Sequence, residues 1–415
     1  MIKDINYFYY NSNLIEKFKF ILLSLLPIFF ILGNLLINLT FVLFFFIFLY
    51  DFILKKEKEF LKDASFWLLL FLFLSLVINI FFSIDQMQST PRVIKIFLAM
   101  TFITQVKKSI SKHSAEFEKI IFKSWSIIFF IVMLDAIVEI IFGFNTFGNS
   151  TGLKGRISGV FGNEWVLGAF IFSFGLIFFC YVIKTTKKSK ILNIALLVIL
   201  ILISFLVGER ANFIKFFISI IFLNILVFDF KLKEVFFSLI TFFSIFFFVI
   251  SLNSDYHKRY FGEITQLYKV NTIESYFKNS LYGAQYNSAF KIFLEKPIFG
   301  VGLKNYRIES GKKKYENKDF ILTAGRVTTH PHQIHLELLS ETGIFGYICF
   351  FIFIIFSLYL GIKNYIVHRN IFQLSGIIFI IISLSPLLPS GSYFSTFSSG
   401  LFWMNYSIMM GYIKS

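Results

Sequence analysis

The sequence has few charged residues and few residues that cross-link a chain. Charged side chains make up 15% of its 415 residues against 57% hydrophobic ones, and it has two cysteines and six prolines. A soluble domain of this size could not bury so much apolar surface, so the composition excludes a water-soluble globular protein. Cys180 and Cys349 both fall inside apolar runs, which excludes a disulfide framework and disfavours a reactive thiol.

What the sequence has instead is a series of long apolar runs. Runs of about 20 hydrophobic residues recur along the chain, and a helix of that length crosses a hydrocarbon core of about 30 Å. The pattern predicts an all-α polytopic membrane protein with about twelve transmembrane helices. Only Gly33 and Asn34 separate the first two, which predicts a tight turn there. The predicted spans are roughly 18–34, 36–53, 65–84, 91–106, 120–143, 164–183, 191–207, 211–229, 235–252, 338–360, 371–388 and 396–412.

The basic residues of the short loops predict the orientation of these spans. If the N-terminus is cytoplasmic, every short basic loop lies on the cytoplasmic side, as the positive-inside rule requires. Both termini are then cytoplasmic. The residues concerned are Lys55, Lys56, Lys58, Lys62, Lys107, Lys108, Lys112, Lys119, Lys184, Lys187, Lys188, Lys190, Lys231, Lys233, Lys363, Arg369 and Lys414.

One long outer loop divides the predicted chain. Residues 1–252 hold nine spans, 253–337 form the loop, and 338–415 hold three more spans. The loop carries thirteen Lys and Arg residues, but loops longer than about 60 residues are exempt from the charge rule. The net charge of +16 is thus divided between topology-setting lysines and an outer loop. Because no nucleic acid is expected on the outer face, the basic balance does not indicate nucleic-acid binding.

Two polar segments interrupt the apolar runs on the predicted outer face. Arg156 and Asn163 lie in a glycine-containing segment before the sixth span, while Glu209 and Arg210 lie between two runs with almost no loop. Charges at membrane depth cost roughly 2–3 kcal/mol or more, so they usually pair, face a cavity or serve function. Arginine also matches phosphate oxygens with its planar fork. The alternatives are a turn with interfacial snorkelling and a water-exposed Glu209–Arg210 turn.

The long loop contains a further turn-like segment. Residues 296–307 include Gly300, Gly302 and Arg307, and they follow a helical-looking stretch at 286–294. A lone Gly-x-Gly outside a βαβ unit does not indicate a nucleotide site, so a tight turn presenting Arg307 is the safer interpretation. A loop of about 85 residues is long for a mere connection, which favours function.

Three of the six histidines lie within six residues, at His330, His332 and His335, just before a predicted span. Their spacing is not that of a common metal site, although metal binding stays possible. His332 and His335 lie one helical turn apart, and either could act as a general base because histidine titrates near neutral pH. A purely structural role is the third interpretation.

The histidine segment resembles the signature of the bacterial O-antigen ligase family. That signature is a His followed by Asn, Ser or Gln, nine residues, Gly, two residues and a small residue; here it is met by His332, Gln333, Gly343 and Gly346. The resemblance extends over most of the chain. Its other elements are Arg156 to Asn163, an arginine after the seventh span at Arg210, the 297–302 segment and the closing 389–394 segment.

This resemblance implies a metal-independent, inverting glycosyltransferase without a cofactor. Such an enzyme transfers polysaccharide from undecaprenyl pyrophosphate to lipid A-core at the periplasmic face of the bacterial inner membrane. The essential histidine of the family corresponds to His332 and its first essential arginine to Arg210. Its second loop arginine falls near Tyr282, which is not basic, so Arg307 or Arg326 is expected to join Arg156 and Arg210 at the pyrophosphate. The expected supporting residues are His330, His335, Asn163, Glu209, Gly343 and Gly346.

Three functions remain open at this point. The ligase is the first, and the O-antigen polymerase, which extends repeat units on the same lipid carrier, is the second. A transporter of polyprenyl-linked glycan is the third, but many transporters have paired repeats and place their sites near the bilayer midplane. The polar residues of this chain cluster on one face and in one asymmetric loop, which favours an enzyme over a transporter.

Overall fold

The computed structural model describes residues 12–150, 153–186, 190–227, 254–269 and 272–413, together with 240, 243–244, 246–248 and 250–251. All regular structure in these residues is helical, as the apolar pattern predicts. The main helices are α1 Leu14–Ser24, α2 Leu26–Leu32, α3 Asn34–Leu49, α4 Ala64–Phe81, α5 Gln86–Lys112, α6 Lys123–Phe142, α7 Leu167–Thr185, α8 Lys190–Leu206, α9 Arg210–Val227, α10 Ser254–Lys269, α11 Ile273–Lys278, α12 Leu281–Glu295, α13 Tyr306–Glu309, α14 Ile334–His368, α15 Ile371–Ser383 and α16 Thr396–Gly411.

Short helical turns lie beside these helices. A π-helical turn at Tyr50–Leu54 ends α3, and Ser114–Glu116 with a π-helical turn at Phe117–Phe122 leads into α6. The 3-10 turns are Glu59–Lys62, Gly159–Phe161, Lys313–Tyr315 and Thr323–Arg326. The predicted outer loop is therefore not irregular, because it contains α10 to α13 as well as two of these turns.

Several helices are long and apolar enough to cross a membrane. Within the described residues there are six, and two shorter apolar helices, Leu192–Leu206 and Ile371–Ser383, accompany them. The six are Asn34–Leu54, Ala64–Phe81, Ser114–Phe142, Leu167–Thr185, Arg210–Val227 and Ile334–His368. The protein is thus a polytopic helical membrane protein, while the count of twelve spans and the side on which each loop lies stay predictions.

The predicted boundaries differ from the helices at particular points. The predicted 18–34 span is divided between α1 and α2 at Leu25, and Gly33, at φ 113°, separates α2 from α3. The predicted 371–388 span ends at Ser383, ahead of the prolines at 386 and 389. The predicted ninth span at 235–252 lies largely outside the described residues, as do Lys187, Lys188, Lys231, Lys233 and Lys414 of the inner loops.

The chain forms two compact units. Unit 1 comprises residues 1–37, 108–264 and 368–382. Its most enclosed span is α7, since 72% of its apolar window is buried, against 44% or less in the other five candidate spans. Aromatic rings surround α7: Phe170 packs against Phe129 and Phe161, and Phe174 packs against Trp125. A helix that is apolar all round is expected to be enclosed in this way.

Unit 2 comprises residues 38–107, 265–367 and 383–415. Helix α16 is buried from Ser399 to Gly411, and its Trp403 and Tyr406 rings pack against Phe353 of α14. Helix α14 is 35 residues long and breaks its helical geometry at Gly343, where φ is 63° and ψ is −171°. His330 and His332 lie immediately before α14 and His335 lies in its first turn, so this helix positions the signature residues.

Candidate functional site

The turn at 297–302 packs directly against the break in α14. The Val301 amide donates to the Ser340 carbonyl at 3.0 Å, and the Gly302 amide donates to the Glu341 carbonyl at 2.8 Å. In return, the Ile344 amide donates to the Pro297 carbonyl at 2.8 Å. These bonds use backbone groups that the break leaves without helical partners. The two segments of the family resemblance therefore form one backbone-to-backbone joint.

Glycine is required on both sides of this joint. Gly343 has φ 63° and Gly300 has φ 67°, a region that residues with a Cβ rarely adopt. A Cβ on Gly343 would collide with the Ile298 carbonyl, and a Cβ on Gly300 would collide with the Glu341 backbone. The spacing of nine residues between Gln333 and Gly343 thus places the histidine segment about three helical turns before the joint.

The same turn is fixed to the beginning of α5. The Ile84 amide donates to the Val301 carbonyl at 3.0 Å, and the Ser89 hydroxyl donates to the Leu303 carbonyl at 3.0 Å. The side-chain amide of Asn305 donates to the Asp85 carbonyl at 3.1 Å. Through these contacts the turn lies between α14 and the first turns of α5.

A buried charged network connects the turn to the closing 389–394 segment. The Lys304 side chain is 4% exposed; its amino group donates to the Ser392 hydroxyl and lies 4.0 Å from a carboxylate oxygen of Glu337. Glu337, fully buried, accepts from the Ser392 hydroxyl at 2.5 Å and from the Tyr393 amide at 2.8 Å. A buried charge persists only when it is paired and hydrogen-bonded, and both conditions are met here.

A second buried carboxylate lies one helical turn further along α14. Glu341 is fully buried and accepts from the Lys304 amide at 2.7 Å and from the Tyr306 amide at 3.4 Å. Lys304 itself adopts φ 62°, an unusual conformation for a residue with a Cβ. The carboxylate of Glu341 thus holds the end of the turn in a strained backbone conformation.

His330 and His332 form a pair in front of α14. Their ring centroids are 4.0 Å apart, and the Tyr282 ring of α12 lies 6.1 Å from the His332 ring. The backbone of His332 has φ 53°, and its carbonyl accepts from the Ser390 amide at 2.9 Å. Such left-handed residues are over-represented at functional sites, where surrounding contacts hold them.

Both members of this pair are neutral at physiological pH. Burial, with the nearby Lys304 and Arg307 charges, lowers the pKa of His330 to about 4. Burial and the neighbouring His330 also lower the pKa of His332 to about 4, while Glu337 acts in the opposite direction. A neutral imidazole keeps one ring nitrogen free to accept a proton. His332 is only partly buried, so a substrate can reach it.

His335 lies apart from the pair. Its Nδ1 is 3.0 Å from the Tyr347 hydroxyl, its Nε2 is 2.9 Å from the Leu384 carbonyl, and its ring stacks on Phe351. Both ring nitrogens are therefore engaged within the protein. Within the part of the chain that the structure describes, no three His, Cys, Asp or Glu side chains are grouped to hold a metal ion.

The two loop arginines expected at the pyrophosphate have different surroundings. Arg307 is exposed on α13. Arg326 is buried at the end of a 3-10 turn, and its guanidinium donates to the Thr323 carbonyl at 3.0 Å, within its own loop. Of the two, only Arg307 has a guanidinium accessible to a ligand.

In unit 1 three arginines gather around the turn between α8 and α9. Arg156 lies 3.6 Å from the Glu209 carboxylate and stacks over the Trp165 ring at 4.7 Å. Arg210 donates to the Arg259 carbonyl at 3.2 Å, and Arg259 donates to the Gly208 carbonyl at 3.0 Å. Glu209 is 7% exposed, so the turn is not the water-exposed Glu209–Arg210 pair considered from sequence.

The Glu209 carboxylate contacts several groups around that turn. Besides Arg156, it accepts from the Asn212 side chain at 2.7 Å and from the Gly168 amide of α7 at 3.1 Å. Asn163, expected as a supporting residue, is exposed. In the structure Arg156 contacts Glu209, and the neighbouring Arg210 bonds to Arg259.

Sequence reasoning did not identify several of these residues. Glu337 and Glu341 are four residues apart and so lie on one face of the helix. Acids on an exposed face have the same spacing, so the sequence does not show that these two are buried. Arg259 falls in a loop rich in basic residues, where nothing local distinguishes it.

The comparison with known families agrees with the histidine signature. Residues 195–351 match the O-antigen ligase family model, a segment that includes Arg210, Arg259, the 297–302 turn, His332 and Gly343. A search of curated proteins found no significant match. The match confirms the resemblance and points to glycosyltransferase-type chemistry, of the ligase or polymerase kind. Residues 195–351 are thus similar to the O-antigen ligase family.

Proposed function

We propose that this protein is an O-antigen ligase. It would transfer a polysaccharide from undecaprenyl pyrophosphate to a sugar hydroxyl of lipid A-core, with inversion at the anomeric carbon, on the periplasmic side of the inner membrane. The observation that supports this best is His332. It is a neutral, partly accessible imidazole in a left-handed conformation, about three helical turns before the break at Gly343.

His332 is the proposed general base. Its free ring nitrogen would take the proton of the acceptor hydroxyl as that oxygen attacks the anomeric carbon. A pKa of about 4 keeps the base unprotonated, although it also makes it weak in the free enzyme. An anion bound nearby favours the cationic imidazolium, so the bound substrates would strengthen the base.

Arg156, Arg210 and Arg259 are the proposed partners of the pyrophosphate. The leaving group carries about two negative charges, which must be stabilised as the sugar–oxygen bond breaks. Guanidinium groups can neutralise these charges with paired hydrogen bonds, so the proposed chemistry requires no metal ion. Arg259 takes the place of the expected loop arginine in this assignment. The guanidinium of Arg326 is engaged in its own loop, and Arg307 lies in unit 2, near Arg92.

A gene deletion followed by analysis of lipopolysaccharide and carrier lipid tests the function. If the protein is a ligase, the deletion strain should accumulate long glycans on the lipid carrier and carry none on lipid A-core. A single repeat unit on the core would indicate the polymerase instead, and undiminished surface polysaccharide would rule out both. Complementation with His332→Ala should fail, whereas complementation with Lys313→Ala, an exposed loop residue, should succeed.

A further inference from the structure

Four cationic side chains approach one another in unit 2. Arg92 and Lys95 lie on α5, whereas Lys304 follows the 297–302 turn and Arg307 lies on α13. Ser89, Arg92 and Lys95 are spaced by three residues, so they share one face of α5. The Ser89 hydroxyl donates to the Leu303 carbonyl at 3.0 Å, so this face is turned towards the segment that carries Lys304 and Arg307.

The electrostatic contacts join the two pairs. Lys95 lies within electrostatic reach of Arg92 and Lys304, and Arg92 lies within reach of Arg307. Lys304 and Arg307 in turn act on His330. Lys304 and Arg307 therefore lie near His330, and Arg92 and Lys95 of α5 lie near these two cations.

The closing segment and the first residue of α16 hold two of these amino groups in place. Lys95 donates to the Thr396 hydroxyl at 2.6 Å, and Lys304 donates to the Ser392 hydroxyl. Thr396 follows Ser392 by four residues, so both lysines are fixed to one short stretch of chain. Neutral hydroxyls position the amino groups without neutralising them.

The charge of this cluster is only partly compensated. Glu337 lies 4.0 Å from Lys304, and Glu341 attracts Arg92, so two carboxylates act on four cations. The Nε of Arg92 is buried and has no hydrogen-bond partner in the described residues. Holding like charges together in a half-buried position is unfavourable unless an anion joins them.

We propose that Arg92, Lys95 and Arg307 bind a phosphate-type anion carried by the acceptor substrate. This rests on the proposed function, because His332 defines the acceptor as the molecule whose hydroxyl it deprotonates. We assign the anion to the acceptor because the donor pyrophosphate is already assigned to Arg156, Arg210 and Arg259, whereas this cluster includes cations near His330. The donor pyrophosphate is the other possible source of the same chemistry.

A binding experiment tests the site without any transfer reaction. The full chain in detergent is heated with inorganic phosphate or with chloride at equal ionic strength. Phosphate should raise the melting temperature of the unaltered protein and of Lys313→Gln, which removes an exposed charge from the same unit. The Arg92→Gln/Lys95→Gln variant should lose this response, and Arg92→Lys should retain part of it. An equal phosphate response in the double variant would overturn the site.

A kinetic experiment distinguishes the two sources of the anion. Transfer is measured with the phosphorylated acceptor and with the same acceptor after phosphatase treatment. In the double variant the KM for the phosphorylated acceptor should rise about tenfold or more, and more than the KM for the treated one, because one charge-assisted contact is worth about a factor of ten. A rise confined to the KM for the donor lipid would overturn the acceptor assignment. If the unaltered protein transfers no glycan, the proposed function fails while the phosphate experiment still decides the site.

Discussion

The ring centroids of His330 and His332 lie 4.0 Å apart at an interplanar angle of 46°. Two imidazoles this close disfavour a second positive charge, so protonation of one opposes protonation of the other. Burial acts in the same direction on both. The pair is thus built to stay neutral.

We expect the pH dependence of kcat/KM to follow this pair. The rate should stay constant as the pH falls from 7 towards 5 and then decrease with a midpoint near 4, because the pKa of His332 is lowered to about 4. In His330→Gln the midpoint should move to a higher pH, because the variant removes His330, which together with burial lowers the pKa of His332. An acid limb at the ordinary histidine pKa of about 6.5 in the unaltered enzyme would contradict this.

The same shifts predict the pH dependence of stability. In the unfolded chain each histidine binds its proton below about pH 6.5, whereas in the fold it does so only below about 4. Between these values the unfolded state binds more protons, so the free energy of unfolding should decrease as the pH falls from 6.5 to 4. Melting curves of His330→Gln and the unaltered protein across this range measure the contribution of the pair.

Substitutions should separate His332 from His335. His332→Ala should reduce transfer by about 10²–10⁴-fold at a nearly unchanged melting temperature, since it removes the proposed base. His335→Ala should instead lower stability by about 1–3 kcal/mol, because it leaves the Leu384 carbonyl and the Tyr347 hydroxyl without their partner. A His335→Ala protein of normal stability without activity would refute this division of roles.

The arginines of unit 1 should be sensitive to the shape of the cation. Arg210→Lys and Arg259→Lys should each reduce kcat by about tenfold or more, because a point charge replaces a planar fork. Lys258→Gln, an exposed neighbour of Arg259, serves as the matched control. Turnover close to that of the control would instead give Arg210 and Arg259 a purely structural role.

The Lys304–Glu337 pair should be costly to break from one side. Lys304→Met leaves the buried Glu337 carboxylate without its cation and should destabilise the protein by about 3–5 kcal/mol. Lys304→Met combined with Glu337→Gln should cost less than the sum of the two single variants, since it leaves no buried charge unpaired. The exposed Lys313→Met is the control. Chemical unfolding in detergent compares it with the unaltered protein, the two single variants and the double variant.

Much of the fold follows from the local sequence. The length of each apolar run predicts which segments form membrane helices, because a helix needs about 20 residues to cross the hydrocarbon core. The breaks at Gly33 and near Pro386 and Pro389 are also local effects. The histidine signature is equally local, and the family comparison confirms it.

The site itself depends on contacts between distant segments. Lys304 contacts Glu337 and Ser392, which are 33 and 88 residues further along the chain. A periodic sequence pattern does not predict contacts at such separations. Only the tertiary structure shows that the 297–302 turn joins the Gly343 break, that His335 is engaged apart from the histidine pair, and that Arg259 joins Arg210. By itself, the sequence determined the membrane class and the family signature that contains His332. The tertiary structure decided which charges lie together. A charged side chain needs a partner once it is buried, and these side chains become buried only when distant segments pack.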